Sequence, residues 1–278
     1  MDQRILECKK SLEGLIIPKK VSKVFSFSLT GSIIFQWADK SAIDRVEPTY
    51  TLSKDPMELF LIRHGQSTNN AQPGSERVDD PPLTAMGFEQ ARRVGLWCRG
   101  LQLDRLFTSP FRRTLETTEK VRQFTGLAPD IWIDLHEHGG CMAGTSPDIF
   151  EGRPGMNRMQ IEAEFAGYSC PEEIDGRGWW KCKSYETMEQ MEKRAEEVAK
   201  TTIDRFGCSK ERIAYISHGA FLLMLIGTFL KHGGSGHGWL GDIANTAVAR
   251  LTFIDGRVQL SFYNSVIHLP VTLVTGNT

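Results

Sequence analysis

Two apolar runs in this chain end in the same dipeptide. Leu59-Phe60-Leu61-Ile62 stops at Arg63-His64-Gly65, and Ile213 to Ile216 stops at Ser217-His218-Gly219. A short apolar run bounded by polar and turn residues reads as a buried strand. Each strand therefore delivers an imidazole to a sheet edge, and the first brings a guanidinium beside it. His64 qualifies as a nucleophile. Gly65 is expected to let a bulky tetrahedral anion approach the backbone. A strand-end histidine is more often simply hydrogen-bonded, so neither segment decides a function alone.

Around these strands the pattern alternates. Thr84 reads as the N-cap of a helix through about Arg99, and Leu103 to Thr108 as a strand. Ser109-Pro110 opens the next helix, with Ser as cap and Pro in the first turn. Asp130 to Leu135 is a third strand. Asn157 to Phe165 is a short helix, and Ser184 caps a long one. That long helix carries Met188, Met191, Ala195, Val198, Thr202 and Phe206 on one stripe. An apolar helix spans Ala220 to Leu230. Ala247 to Ile254 and Arg257 to Tyr263, joined by Asp255-Gly256, give a hairpin signal. Strands alternating with helices predict an α/β sandwich of mostly parallel order with an antiparallel edge.

The 278 residues suit one α/β domain with insertions. Residues 1–56 stand apart as an N-terminal extension with a candidate hairpin around Thr30-Gly31-Ser32. Residues 57–278 form the main domain. The stretch 139–183, with its glycines, prolines and adjacent Trp179-Trp180, reads as an inserted lid or a surface excursion. Gly233 to Gly238 lacks the Gly-Lys-Ser/Thr of a phosphate-cradling loop. A net charge of -1 gives no basic field for nucleic acid. No apolar run reaches the roughly 18 residues of a membrane span. The six cysteines are scattered and read as reduced thiols, which makes the cytoplasm the default setting.

Arg112 and Arg113 sit in a helix's first turn, where a cation opposes the helix dipole. They read either as exposed arginines or as an anion site shared with the helix terminus, and geometry alone does not choose between them. Glu137 lies between His136 and His138. In an extended segment the two histidines face one way and the carboxylate the other. His136 and His138 have no third ligand at a recognisable spacing, so no metal is expected. Two strand-end histidines, arginines and one carboxylate suit phosphoryl transfer, in which cations neutralise the moving group and an acid protonates the leaving oxygen.

The motifs occur as Arg63-His64-Gly65-x-Ser67-x-x-Asn70, Leu83-Thr84-x-x-Gly87, Ser109-Pro110-x-x-Arg113-Thr114-x-x-Thr117, Leu135-x-Glu137, Phe150-Glu151-Gly152 and Ser217-His218-Gly219. In this order they resemble the histidine phosphatase superfamily, in its phosphoglycerate mutase-like branch. The resemblance covers roughly residues 57 to 255 and is jointly specific. It implies a three-layer α/β/α sandwich with a mostly parallel central sheet. It also implies a phosphohistidine on His64, with Arg63, Arg113 and His218 holding the phosphoryl group. The family's spacing selects Arg113 over Arg112. Glu137 is implied to protonate the leaving oxygen and then activate water, while Asn70 and Gly219 fall in the substrate pocket. No cofactor is implied. The expected partner is a small phosphorylated substrate, and a homo-oligomer is left open.

The chain departs from the glycolytic mutases where Ala71-Gln72-Pro73-Gly74 replaces Phe-Thr-Gly-Trp and where Gln66 replaces Glu. Glu137 and Phe150-Glu151-Gly152 are also further apart than in the broad phosphatases. These departures favour a phosphomonoester hydrolase. A cofactor-primed phosphomutase and a non-catalytic phospho-ligand binding module are the alternatives.

Overall fold

The computed structural model describes residues 56–230, 240–254 and 256–276. The candidate hairpin around Thr30-Gly31-Ser32, the loop 233–238 and Asp255 lie outside the described residues. Strand β1 (Met57–Arg63) is apolar on both faces because it is central. It pairs in parallel with β6 (Arg212–Ser217) and antiparallel with β7 (Val248–Ile254). β2 (Arg105–Thr108) and β3 (Asp130–Ile131) extend the parallel half, and β8 (Arg257–Ser265) adds the antiparallel edge. The order is β3-β2-β6-β1-β7-β8.

Alternate side chains on each strand serve opposite faces. Phe60, Ile62, Leu106, Ala214 and Ile216 pack under α1 (Ala85–Cys98) and α2 (Arg112–Thr125) through Val94, Cys98 and Val121. Leu59, Leu61, Phe107, Ile213 and Tyr215 pack under α4 (Met188–Phe206) and α5 (Gly219–Phe229) through Met191, Ala195, Val198, Phe206 and Leu225. The three-layer α/β/α sandwich follows directly.

The β1–β6 register positions the chemistry. Arg63 lies opposite Ser217, so His64 and His218, each one residue later, emerge side by side. Their ring centroids are 5.2 Å apart.

Three local expectations change. Ser109 does not cap α2: Phe111 holds that position, and the serine hydroxyl is engaged by His218. The third strand stops at Ile131, and a 3-10 turn over Ile133–Leu135 carries the chain to Glu137. Helix α4 is capped by Thr187, not Ser184, through a hydrogen bond from the amide of Gln190. Met188 is consequently in the first turn and exposed, whereas the rest of the stripe is buried.

The inserted segment has a core of its own. A short ladder pairs β4 (Met142–Ala143) with β5 (Glu151–Gly152), and α3 (Arg158–Glu164) follows. Met156, Ile161, Phe165, Tyr168, Ile174, Trp179 and Trp180 bury themselves against Phe111, Leu115 and Ile131 of the main domain. The tryptophan pair is therefore packing material. Cys98, Cys141, Cys170 and Cys182 are free thiols, while Cys208 is disulfide-bonded, against the expectation of thiols throughout. No described helix is long and apolar enough to cross a membrane.

Candidate active site

The end of β1 is fixed from every side before any side chain acts. The amide of His64 donates to Ser217 O at 3.0 Å, and its carbonyl accepts from Thr246 N and Asn245 Nδ2. Gly65 N donates to Thr117 Oγ1 of α2 at 3.1 Å, and Gln66 N to Gln90 Oε1 of α1 at 2.8 Å. Gly65 also has a packing reason that the sequence does not show. A Cβ there would lie 2.5 Å from the carbonyl oxygen of Gly87, and a Cβ at Gly87 would lie 2.0 Å from that of Gln66. The two glycines let the loop after β1 press against the start of α1.

His64 is buried. Its Nδ1 lies 2.6 Å from Gly65 O, and Nε2 receives a hydrogen bond from Arg113 Nε at 3.2 Å. A guanidinium can only donate, so Nε2 is the acceptor and Nδ1 carries the proton. Burial holds the imidazole's pKa well below the usual histidine value, reinforced by Arg113 and Arg63. The ring is thus a neutral base with its lone pair beside a cation.

Arg113 rests over the Phe111 ring at 4.1 Å, and burial brings its pKa down to about 10. Arg112 turns away and forms a two-pronged ion pair with Glu164 of α3, at 2.6 and 3.0 Å. That geometry supports Arg113 as the residue of the site. Arg63 donates through Nη1 to the carbonyls of Ile243 and Gly276. Its Nε is buried with no partner among the described residues.

His218 is fully buried, with Nε2 2.8 Å from Ser109 Oγ and Nδ1 left without a partner among the described residues. Burial, then Arg113, lowers its pKa well below the usual value. It touches the His64 and Phe111 rings from behind the cavity wall. Gly219 opens α5 with Arg63 Nε 3.5 Å from where its Cβ would sit, and neither His218 nor Gly219 lines the cavity.

Glu137 and His138 both line the cavity, whereas His136 is buried against Trp179 and Trp180. The expected alternation fails because the segment leaves a 3-10 turn and enters two positive-φ glycines, Gly139 and Gly140, instead of running extended. Glu137 Oε1 accepts from His138 N at 2.9 Å and from Phe221 N of α5 at 3.1 Å. Since His218 provides no side-chain cap, Glu137 satisfies that helix terminus. Its Oε2 has no hydrogen bond among the described residues.

Asn70 lines the cavity, but its Oδ1 is already engaged by Ser67 N and Oγ and by Asn245 Nδ2. Glu151 is exposed beside Arg153 and, like Asp148, lies outside the lining. The cavity holds about 170 Å³, and Asn69, Arg77, Asp79, Phe150 and Tyr185 also line it. Of these only Phe150 is a named motif position; Arg77 and Asp79 come from the polar loop, Asn69 is an unspecified position beside Asn70, and Tyr185 follows the 139–183 segment. Among the described residues no group of three or more His, Cys, Asp or Glu is placed to hold a metal ion.

This arrangement coincides with a family match: the model of the histidine phosphatase superfamily (branch 1) matches residues 59–266. The chain belongs to the histidine phosphatase superfamily. Named relatives in sequence include the "Probable phosphoglycerate mutase GpmB" of Salmonella choleraesuis (strain SC-B67), 36% identical over 78 residues. That match takes in 28% of this chain and 35% of the relative, so the chain spans about a third of that protein's length. The protein of the same name from Citrobacter koseri is 26% identical over 174 residues, covering 63% of this chain and 75% of its own.

Among solved structures, a mycobacterial glucosyl-3-phosphoglycerate phosphatase complexed with VO3 superposes with a TM-score of 0.54 at 20% identity. It covers 75% of this chain and 98% of its own. A mutant phosphoserine phosphatase from Entamoeba histolytica, in complex with phosphoserine, gives 0.53 at 20% identity, covering 77% and 100%. At that identity these neighbours establish the histidine phosphatase fold.

Proposed function

We propose that the chain hydrolyses small phosphomonoesters through a phosphohistidine on Nε2 of His64. The observation that carries this reading is the Nε2 lone pair, neutral, buried and beside the Arg113 guanidinium. In the first step Nε2 attacks phosphorus, the ester P–O bond breaks, and the leaving oxygen takes a proton from Glu137 Oε2. The Nδ1 proton stays on the ring, hydrogen-bonded to Gly65 O, which stabilises the charge the imidazole acquires. Arg63 and Arg113, which line the cavity, neutralise the equatorial oxygens, and His218 supports the His64 ring from behind. In the second step Glu137 removes a proton from water as its oxygen attacks phosphorus, releasing phosphate and restoring Nε2. A cavity of about 170 Å³ suits a small ester. Brief mixing with labelled substrate should leave acid-labile, alkali-stable phosphate on His64. Full turnover by His64→Ala would refute the assignment.

The name of the GpmB relatives favours a second reading, a mutase in which water is kept from the phosphoenzyme. Phosphate release and primed mutase turnover, measured side by side on glycerate phosphates, separate the two.

A further inference from the structure

We propose that Arg194 of α4, held by Glu186, is a positioning residue that sets where the carboxylate of Glu137 lies; this rests on the general-acid reading above. Arg194 donates from Nε and Nη2 to the two carboxylate oxygens of Glu186, both at 2.7 Å. Its Nη1 donates to Asp134 O at 2.6 Å and to His136 O at 3.0 Å. The guanidinium face lies 4.1 Å from the Phe221 ring centroid. One largely buried side chain thus grips both supports of the acid. It holds the carbonyl just before Glu137, and it packs on the residue whose amide binds Glu137 Oε1.

The partner is anchored in the same place. Glu186 N donates to Gly139 O at 3.2 Å, and Tyr185 covers Gly139, where a Cβ would meet its ring at 2.5 Å. His136 Nδ1 sits 2.8 Å from Glu137 O. A general acid needs its proton within hydrogen-bond reach of the leaving oxygen, so displacement of this turn acts on proton transfer and not on phosphate binding. A buried ion pair is by itself poor evidence of stabilisation, but its geometry is well suited to orienting what it touches.

The test compares Arg194→Lys, which keeps the charge and loses the fork, with Glu137→Gln and the double variant. Turnover of glycerol phosphate by Arg194→Lys should fall about ten- to a hundredfold. Turnover of 4-nitrophenyl phosphate, whose leaving oxygen needs little proton help, should fall about threefold at most. Inhibition by inorganic phosphate should be unchanged. The double variant should be no slower on glycerol phosphate than Glu137→Gln alone, because both changes act through one group. Equal loss on both substrates, or multiplying losses in the double variant, overturns the proposal. If Glu137→Gln itself spares glycerol phosphate, the general-acid reading fails instead. Glu186→Gln, which preserves shape, should show the same substrate-selective loss in weaker form, and a wild-type profile there also overturns the proposal.

Discussion

Nε of Arg113 donates to Nε2 of His64 across 3.2 Å, while Nδ1 of the same ring sits 2.6 Å from Gly65 O. Both nitrogens are thereby assigned roles before substrate arrives. In the proposed reaction the lone pair of His64 points at the guanidinium that would hold a phosphoryl oxygen. The arginine one residue earlier makes a natural control, since it faces the lid.

Arg113→Ala should lower kcat by roughly a hundred- to a thousandfold, the range for removing one pre-organised donor. Arg112→Ala should leave kcat near wild type. Its pair with Glu164 is half-exposed and contributes at most about 1 kcal/mol. Steady-state kinetics of both variants decides the matter. If Arg112→Ala is the damaging change, the spacing has selected the wrong residue.

Protonation provides a second check. Burial, helped by nearby arginines, holds His64, His136 and His218 well below the usual value. In the unfolded chain these rings titrate near 6.5. As pH falls below about 6.5 the unfolded state therefore binds protons first, and stability is lost from there down to the folded values. Asp80, pushed up to about 6 by burial, acts in the opposite direction between about 6 and its unfolded value of about 3.9. Burial also lowers His268 to about 4 and raises Glu116, so four imidazoles against two carboxylates should still lower Tm between pH 7 and pH 5. Long-range 1H–15N NMR should find His64 protonated on Nδ1 only, with no titration at pH 6.5. A His64 titration at or above 6.5 would contradict the assignment.

The sequence pattern makes the frame legible because apolar runs and caps act over short distances. The two His-Gly strand ends, the Thr84 cap and the apolar α5 all need only neighbouring residues to be recognised. Ser109 reads as a cap because nothing beside it shows that its hydroxyl serves a histidine 109 residues away. Arg194 lies on a polar helix face by periodicity, yet it reaches carbonyls at Asp134 and His136. Nothing local marks such a contact. The lid's apolar residues have no regular period, so its separate core becomes visible only once Phe111 and Ile131 lie against it.

Gly65 and Gly87 should resist even alanine. Their missing side chains are replaced by backbone carbonyls, which cannot swing aside as a side chain would. Either substitution should destabilise the fold by about 1–3 kcal/mol through overpacking. Gly65→Ala should also cost turnover beyond that loss, because the displaced loop carries His64. Thermal melts with activity measured well below Tm separate the two effects. An unchanged Tm in Gly87→Ala would show that the contact is looser than the geometry states.

Trp179 connects the 139–183 segment to the His64–Arg113 end of the cavity without lining it. Its ring centroid lies 4.7 Å from that of Phe111, which in turn supports Arg113 at 4.1 Å and touches His218 at 5.0 Å. Trp179→Ala removes a fully buried side chain and should cost about 3–5 kcal/mol. It should also let Phe111 tilt, loosening the guanidinium against His64, so inorganic phosphate should bind several-fold more weakly. Trp179→Phe keeps an aromatic ring on Phe111 and should retain most of both properties. Calorimetry and phosphate inhibition measured on the two variants test the linkage. Wild-type phosphate affinity in a Trp179→Ala protein that melts early would show that the stack supports only the fold. A parallel loss of affinity and stability would place the lid's tryptophan among the residues that hold Arg113 in line.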